Sequence, residues 1–175
     1  RSFAPVADLR DGWAAARLGQ AEGAALGLPS GVVSASEVPA DELGLVPGDG
    51  DDGWVWGSRT FTIPDGARGQ RLFLHVASRV HGLQVWVNGR AAPLPDRDLD
   101  AESPGAWYVP ALVEITASLQ PGVNTLTLAG PTCQGKLVNG AVELLAAIAP
   151  VPLPEVTICG PGHYVITDAR GRTEL

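Results

Sequence analysis

In the stretch Trp54-Val55-Trp56-Gly57-Ser58-Arg59-Thr60-Phe61-Thr62-Ile63-Pro64, polar and apolar side chains alternate from Arg59 to Ile63. Phe61 and Ile63 fall on one face of an extended chain, and Pro64 ends the run, as is typical of a β-strand. After a short turn the alternation resumes over residues 71–76, with inward positions at Leu72, Leu74 and Val76. A period of two over successive segments predicts strands that turn one face toward a core.

A hairpin is predicted at Asn88-Gly89, which follows the apolar positions Val85 and Val87. Both turn residues tolerate positive φ, so this pair is a strong hairpin signal. Further strands are predicted over residues 112–116, 124–128 and 138–145. Closely spaced strands and turns without a long helical period indicate an all-β, two-sheet antiparallel jelly-roll sandwich.

The alternation is weak before residue 50 and breaks after Ala149. Residues 13–18 fit either a helical turn or an outer strand, and the first fifty residues look rich in loops. The prolines of 150–154 predict a semi-rigid linker. The sequence therefore predicts a sandwich over 1–149, this linker, and a C-terminal hairpin over 155–175.

The C-terminal hairpin cannot be stable alone in water, because two strands bury too little apolar surface. Its backbone groups and apolar side chains favour pairing with a further domain or another subunit. The alternative is that it folds back onto its own domain, clipped by a disulfide between Cys133 and Cys159. Spacing does not decide whether these two cysteines are bonded or are free thiols.

Charge and hydropathy exclude several partners. The formal net charge of −7 disfavours nucleic acid and anionic membranes, which bind through Lys and Arg. No apolar stretch is long enough to span a bilayer. The chain contains no Met, so we expect a processed or excised fragment whose export signal is already gone.

Several ordered patches resemble a known family. Trp54 to Pro64, 69–76 and Val85-Trp86-Val87-Asn88-Gly89 are similar to the N-terminal sugar-binding jelly-roll domain of β-galactosidase and β-glucuronidase type enzymes. The similarity includes Leu9 to Trp13 as a first strand and the segments 113–126 and 135–144, with Glu114 in place of the usual Asp. The resemblance implies a galactose-binding-like fold. It implies no ligand residues, because binding resides in the loops between these patches.

The candidate ligand residues lie in those loops. Aromatic rings stack on the apolar face of a pyranose, while charged and polar side chains bond its hydroxyls. Trp107 and Tyr108 are the expected exposed platform, whereas Trp86 and at least one of Trp54 and Trp56 are expected in the core. The expected polar partners are His81 and Arg79, in a loop over 78–82, with Asp49 and Asp51.

The acidic loops allow more than one interpretation. Residues 48–53 match a G-x-G-x-x-G pattern, but a strand follows in place of a helix, which excludes a dinucleotide site. This loop is a solvated turn, or a calcium or sugar-hydroxyl site. Residues 96–107 start like an EF-hand but lack its Gly at the sixth position and its Glu at the twelfth. We expect a solvated acidic loop here, with a structural calcium site of another type as the alternative.

We expect no catalysis by this chain alone and no required cofactor. His75, His81 and His163 form no pair at metal-ligand spacing, and no carboxylate pair stands at matching strand ends. The leading hypothesis is a non-catalytic, extracellular, periplasmic or cell-surface module that binds a glycan or polysaccharide within a larger glycan-processing protein. The alternatives are a structural sandwich that contacts other domains or subunits, and an accessory fragment of a glycoside hydrolase.

Overall fold

The computed structural model describes residues 2–34, 37–46, 54–94, 108–132, 136–148, 156–158, 164–167 and 173–174. Residues 3–147 form one compact unit, and residues 1–2 with 148–175 form a second.

Two antiparallel sheets make up the larger unit. One has the strand order β1-β10-β5-β8 and the other β3-β2-β4-β9-β6-β7. The strands are β1 (Ser2–Asp8), β2 (Trp13–Arg17), β3 (Glu37–Val38), β4 (Trp54–Thr62), β5 (Leu72–Val80), β6 (Gln84–Val87), β7 (Arg90–Ala91), β8 (Tyr108–Glu114), β9 (Val123–Pro131) and β10 (Val142–Ile148). The expected all-β antiparallel sandwich is confirmed.

Short helices connect the strands of this unit. The α-helix α1 covers Gln20–Ala25, and 3₁₀ turns cover Leu28–Ser30, Ala40–Leu45, Asp65–Ala67 and Thr116–Ser118. The first half of the chain is thus more structured than expected, because β1, β2 and α1 all lie there. Residues 13–17 adopt the strand alternative and pair with β4.

The main core lies between the two sheets. Phe61, Val85, Val87 and Leu128 contribute from the six-stranded sheet, and the predicted inward residues Leu72, Leu74 and Val76 contribute from β5. Trp13 is fully buried, and its indole Nε1 donates a hydrogen bond to the Leu9 carbonyl at 2.8 Å. Side chains at every second position bury one face of each sheet, which is the physical source of the alternation.

Two asparagines join the predicted hairpin to a neighbouring loop. Asn88 and Gly89 have φ of 52° and 75°, as an Asn-Gly turn requires. Asn88 Nδ2 donates to the Ser118 carbonyl and to Asn124 Oδ1, both at 2.8 Å. Asn124 Oδ1 also accepts from the Gln120 amide at 2.8 Å. We call Asn88 and Asn124 the Asn latch.

Several predicted strand limits were wrong. Leu9 to Gly12 connects β1 and β2, so it is not a first strand; Trp13 Nε1 and the Leu9 carbonyl close this connection. The expected loop over 78–82 is shorter, since β5 continues to Val80. The last strand of this unit starts at Val142, four residues later than expected. Local alternation locates strands well and their ends poorly, because distant contacts set the ends.

The smaller unit contains a sheet of its own. β11 (Val156–Ile158) pairs antiparallel with β12 (Tyr164–Thr167), as the hairpin pattern predicted, and β13 (Thr173–Glu174) adds a third strand. The linker 150–154, Cys133 and Cys159 lie outside the described residues, so the linker and the disulfide remain predictions.

Candidate functional site

Strand directions bring the anchors of the predicted binding loops to one end of the sandwich. Trp54, the first residue of β4, pairs with Pro131, and Gln84, the first residue of β6, pairs with Ala129. Val80, which ends β5, pairs with Tyr108, which begins β8. Only residues 81–83 separate β5 from β6, so these anchors share an end, which we call the loop end.

The predicted ligand residues divide into described and undescribed ones. Arg79 and His81 lie at the loop end, with Arg79 buried and His81 exposed. Tyr108 begins β8 beside Val80. Asp49, Asp51 and Trp107 lie outside the described residues, as do the candidate calcium loops over 48–53 and 95–107. Their roles remain predictions.

A β-bulge places Arg79. Val76 pairs with Ala111 and Arg79 pairs with Val109, so three steps on β5 match two steps on β8. Such an extra residue bends the strand and redirects the side chains that follow it. Arg79 also forms a bridge with Val138, and it lies 8% exposed. The sequence pattern predicted a loop at Arg79, because no local pattern indicates a bulge.

A cavity of about 270 Å³ opens at the loop end. Its lining combines the basic residues Arg79 and His81 with Gln84, Trp86 and a mainly apolar wall: Gly82, Leu83, Val85, Ala91, Ala92, Pro93 and Leu94. We call this cavity the His81 pocket. Among the described residues, its lining contains no acidic side chain, although the whole chain carries a net charge of −7.

Gln84 and Trp86 also line the His81 pocket, and neither was among the predicted ligand residues. Gln84 and Trp86 alternate with the buried Val85 and Val87, so they face away from the main core. The alternation over residues 84–87 was itself visible in the sequence, and it indicated that Gln84 and Trp86 face away from the core. Trp86 is only partly buried, so the expectation of a buried Trp86 was wrong.

Alternation predicted that at least one of Trp54 and Trp56 is in the core. Trp56 is the buried one, but it lies outside the main core. Trp56 is 1% exposed and belongs to a second apolar cluster on the outer face of the six-stranded sheet. Its ring stacks on that of Trp86, with centroids 5.3 Å apart and planes at 26°. Both faces of β4 are therefore covered, which a single-face alternation does not predict.

A larger groove, of about 390 Å³, lies at the opposite end of the sandwich. Ile63, Ala67, Leu72 and Leu119 form much of its lining, together with turn residues around Gly69 and Gly122. Its described lining has no aromatic ring and none of the predicted ligand residues. This groove has the larger volume, whereas the His81 pocket combines an aromatic residue with polar ones.

Comparison with solved structures identifies the architecture. The chain superposes on β-glucuronidases from an uncultured Clostridium species (TM-score 0.62, 17% identity, 96% of this chain), Ruminococcus gnavus (0.60, 17%, 97%) and Lactobacillus rhamnosus (0.59, 18%, 97%). The chain shares its fold with one region of these β-glucuronidases. In each case it spans 36% of the length of the matched chain. No family model and no curated sequence matches it.

The resemblance seen in the sequence is thereby confirmed at the level of fold. At such identities the β-glucuronidase comparison carries no residue roles. Within the described ranges, no group of three or more His, Cys, Asp and Glu side chains is placed to hold a metal ion. None of the helices in the described part of the chain has the length and apolar character that crossing a bilayer requires.

Proposed function

We propose that this chain is a non-catalytic carbohydrate-binding module of a larger glycan-processing protein, and that the His81 pocket holds the sugar. The observation that carries the proposal is the composition of this pocket: a partly buried tryptophan, an apolar wall, and three polar residues, which are Arg79 on β5, Gln84 on β6 and His81 in the turn between them. Ligand sites combine a mainly apolar surface with a few placed polar groups in this way. The fold shared with β-glucuronidases supports a glycoside hydrolase context.

The volume and location of the His81 pocket suit one sugar ring of a longer chain. About 270 Å³ is near the lower end of ligand pockets, which span roughly 300–1,000 Å³. The pocket opens at the loop end, where the adjoining loops can extend the contact. Glycans of this kind are encountered outside the cytoplasm, so we propose an extracellular, periplasmic or surface location for the parent protein.

Replacing His81 with alanine tests the pocket. His81 is exposed, so the variant keeps its fold while losing one polar contact with the ligand. We expect affinity to fall about tenfold, which corresponds to roughly 1.4 kcal/mol. Isothermal titration calorimetry with hexasaccharides of glucose, xylose, galactose and galacturonate measures it.

The matched control is His75→Ala. His75 lies on the four-stranded sheet, with Nδ1 3.1 Å from Glu143 Oε2, and is not part of the pocket lining. Equal losses in both variants, or none in His81→Ala for a hexasaccharide that the wild type binds, would contradict the pocket assignment.

A second role is supported by the smaller unit. The backbone of β11, β12 and β13 forms a sheet separate from the two sheets of the sandwich. A small sheet with short edge strands has backbone donors and acceptors available for pairing. We propose that residues 155–175 contact a further domain of the parent protein or another subunit, while the sandwich binds the sugar.

Truncation after Ala149 tests the contacts of residues 155–175. We expect the shortened protein to have a smaller oligomeric state or a lower melting temperature than the full chain. Size-exclusion chromatography with light scattering and a thermal melt measure the two quantities. If both are unchanged, the segment is a passive appendage and its proposed role is wrong.

A further inference from the structure

The outer face of the six-stranded sheet carries an aromatic cluster in which Trp56 is buried. Trp56 lies on β4 and stacks on Trp86 of β6, and Ala129 of β9 lies in the same cluster. Trp86 also lines the His81 pocket. The cluster and the pocket are therefore adjacent and share one residue.

Residues 18–34 cover this cluster, and we call them the strap. Leu18, Leu28 and Val32 pack against the aromatic cluster. The Val32 amide donates to Ser58 Oγ at 2.6 Å. Gly23 lies so close to Trp56 that a Cβ at this position would overlap the indole at Nε1 and Cε2.

The strap has little local stability of its own. Its helix α1 has six residues, contains Gly23, and lacks a side-chain cap at Gly19. Helices this short are marginal without tertiary contacts, and an internal glycine weakens them further. Leu26 and Val33 are 64% and 100% exposed, so these two apolar side chains add little buried surface to the packing of the strap.

Covering the cluster also leaves two polar groups without hydrogen bonds. Trp56 Nε1 and Thr127 Oγ1 are buried and have no hydrogen-bond partner in the described part of the chain. Burying such a group without a partner is unfavourable relative to its hydrated state. Water or a ligand hydroxyl would satisfy both groups if the strap moved away. These two groups therefore destabilise the closed position of the strap, and opening of the strap removes that cost.

We propose that the strap opens as a local unit and uncovers a second pyranose-binding subsite on Trp56, next to the His81 pocket. This inference rests on the proposed sugar-binding function. In the open form the indole that Gly23 covers offers a stacking face, and Trp56 Nε1 and Thr127 Oγ1 offer hydrogen bonds to ring hydroxyls. Trp86 joins the two subsites, so they accept neighbouring rings of one glycan.

Gly23→Ala separates this proposal from a fixed strap. Gly23 has no positive φ, and alanine forms helices better than glycine, so α1 itself gains from the change. Only the overlap with Trp56 opposes it. We expect amide hydrogen exchange in residues 20–33 to rise about tenfold or more, together with acrylamide quenching of tryptophan fluorescence. Gly66→Ala is the matched control, because its Cβ meets nothing within 4 Å.

Binding of the same four hexasaccharides decides whether the uncovered face is a subsite. We expect Gly23→Ala to bind a hexasaccharide about tenfold tighter than the wild type, since the opening penalty is removed in advance. Leu28→Ala, which removes a strap anchor without an overlap, is expected to act in the same direction. It serves as the second variant if Gly23→Ala does not fold.

Different outcomes separate the two proposals. If residues 20–33 exchange as slowly as β4 and β9 in the wild type and in both variants, the strap is fixed and this inference is wrong. If the strap opens but affinity matches that of the wild type, the second subsite is wrong and the His81 pocket stands. If neither the wild type nor Gly23→Ala binds any of the hexasaccharides, both the sugar-binding function and the subsite are wrong.

Discussion

Replacing Trp13 with alanine lowers the free energy of unfolding by about 4 kcal/mol, within the range of large aromatic truncations in cores. The Trp13 side chain is fully buried between the sheets and packs in the main core. Its indole Nε1 also donates to the Leu9 carbonyl at 2.8 Å. The variant leaves a cavity and an unsatisfied carbonyl at the connection between β1 and β2. Urea unfolding followed by circular dichroism measures the change.

Two further variants separate the contributions at Trp13. Trp13→Phe keeps most of the ring and loses the hydrogen bond, so its cost is about 1–2 kcal/mol. Val33→Ala removes an apolar side chain that is 100% exposed, and its effect is within about 0.5 kcal/mol. A decrease of less than about 1 kcal/mol in the free energy of unfolding of Trp13→Ala would mean that Trp13 contributes little to the stability of the core.

Replacing Asn124 with alanine lowers the free energy of unfolding by about 3 kcal/mol, because it breaks the Asn latch. Asn124 is fully buried. Its Oδ1 accepts from the Gln120 amide and from Asn88, and its Nδ2 donates to the carbonyls of Gln120 and Gly122. Alanine removes these four hydrogen bonds and leaves backbone groups without partners. The same urea titration measures the loss.

The matched control for Asn124 is Asn139→Ala. Asn139 is exposed, and its side chain accepts one long hydrogen bond, from Lys136 Nζ at 3.4 Å. We expect a change within about 0.5 kcal/mol. Equal costs at the two asparagines would show that burial and the latch contacts contribute nothing specific at Asn124.

The Asn latch also explains part of the sequence resemblance. Asn88 stands in the Val-Trp-Val-Asn-Gly segment and Asn124 in the segment over 113–126, two of the patches that resemble the sugar-binding domain. Thr116, in the same segment, accepts from the Leu72 amide through Oγ1 at 2.8 Å. The patches that identify the fold therefore hold loops and strands together. This is the physical reason why they carried no ligand residues.

The candidate site was only partly predictable. His81 stood out as a polar residue beside a glycine in a loop, and the structure places it at the mouth of a pocket. Arg79 also lines this pocket, and its position depends on a bulge that pairing with β8 creates. Gln84 and Trp86 enter the same pocket from the other sheet. The described lining falls within residues 79–94, and the turn over 81–83 leads from one sheet to the other there.

The sequence by itself determined the fold class, the inward positions of most core strands and the Asn-Gly turn. These features depend on period-two burial and on local φ preferences, which neighbouring residues encode. Only the tertiary structure decided that the strap covers Trp56, that the bulge turns Arg79, and that the loop anchors lie together. Each of these depends on contacts between segments far apart in the chain, and local patterns do not record such contacts.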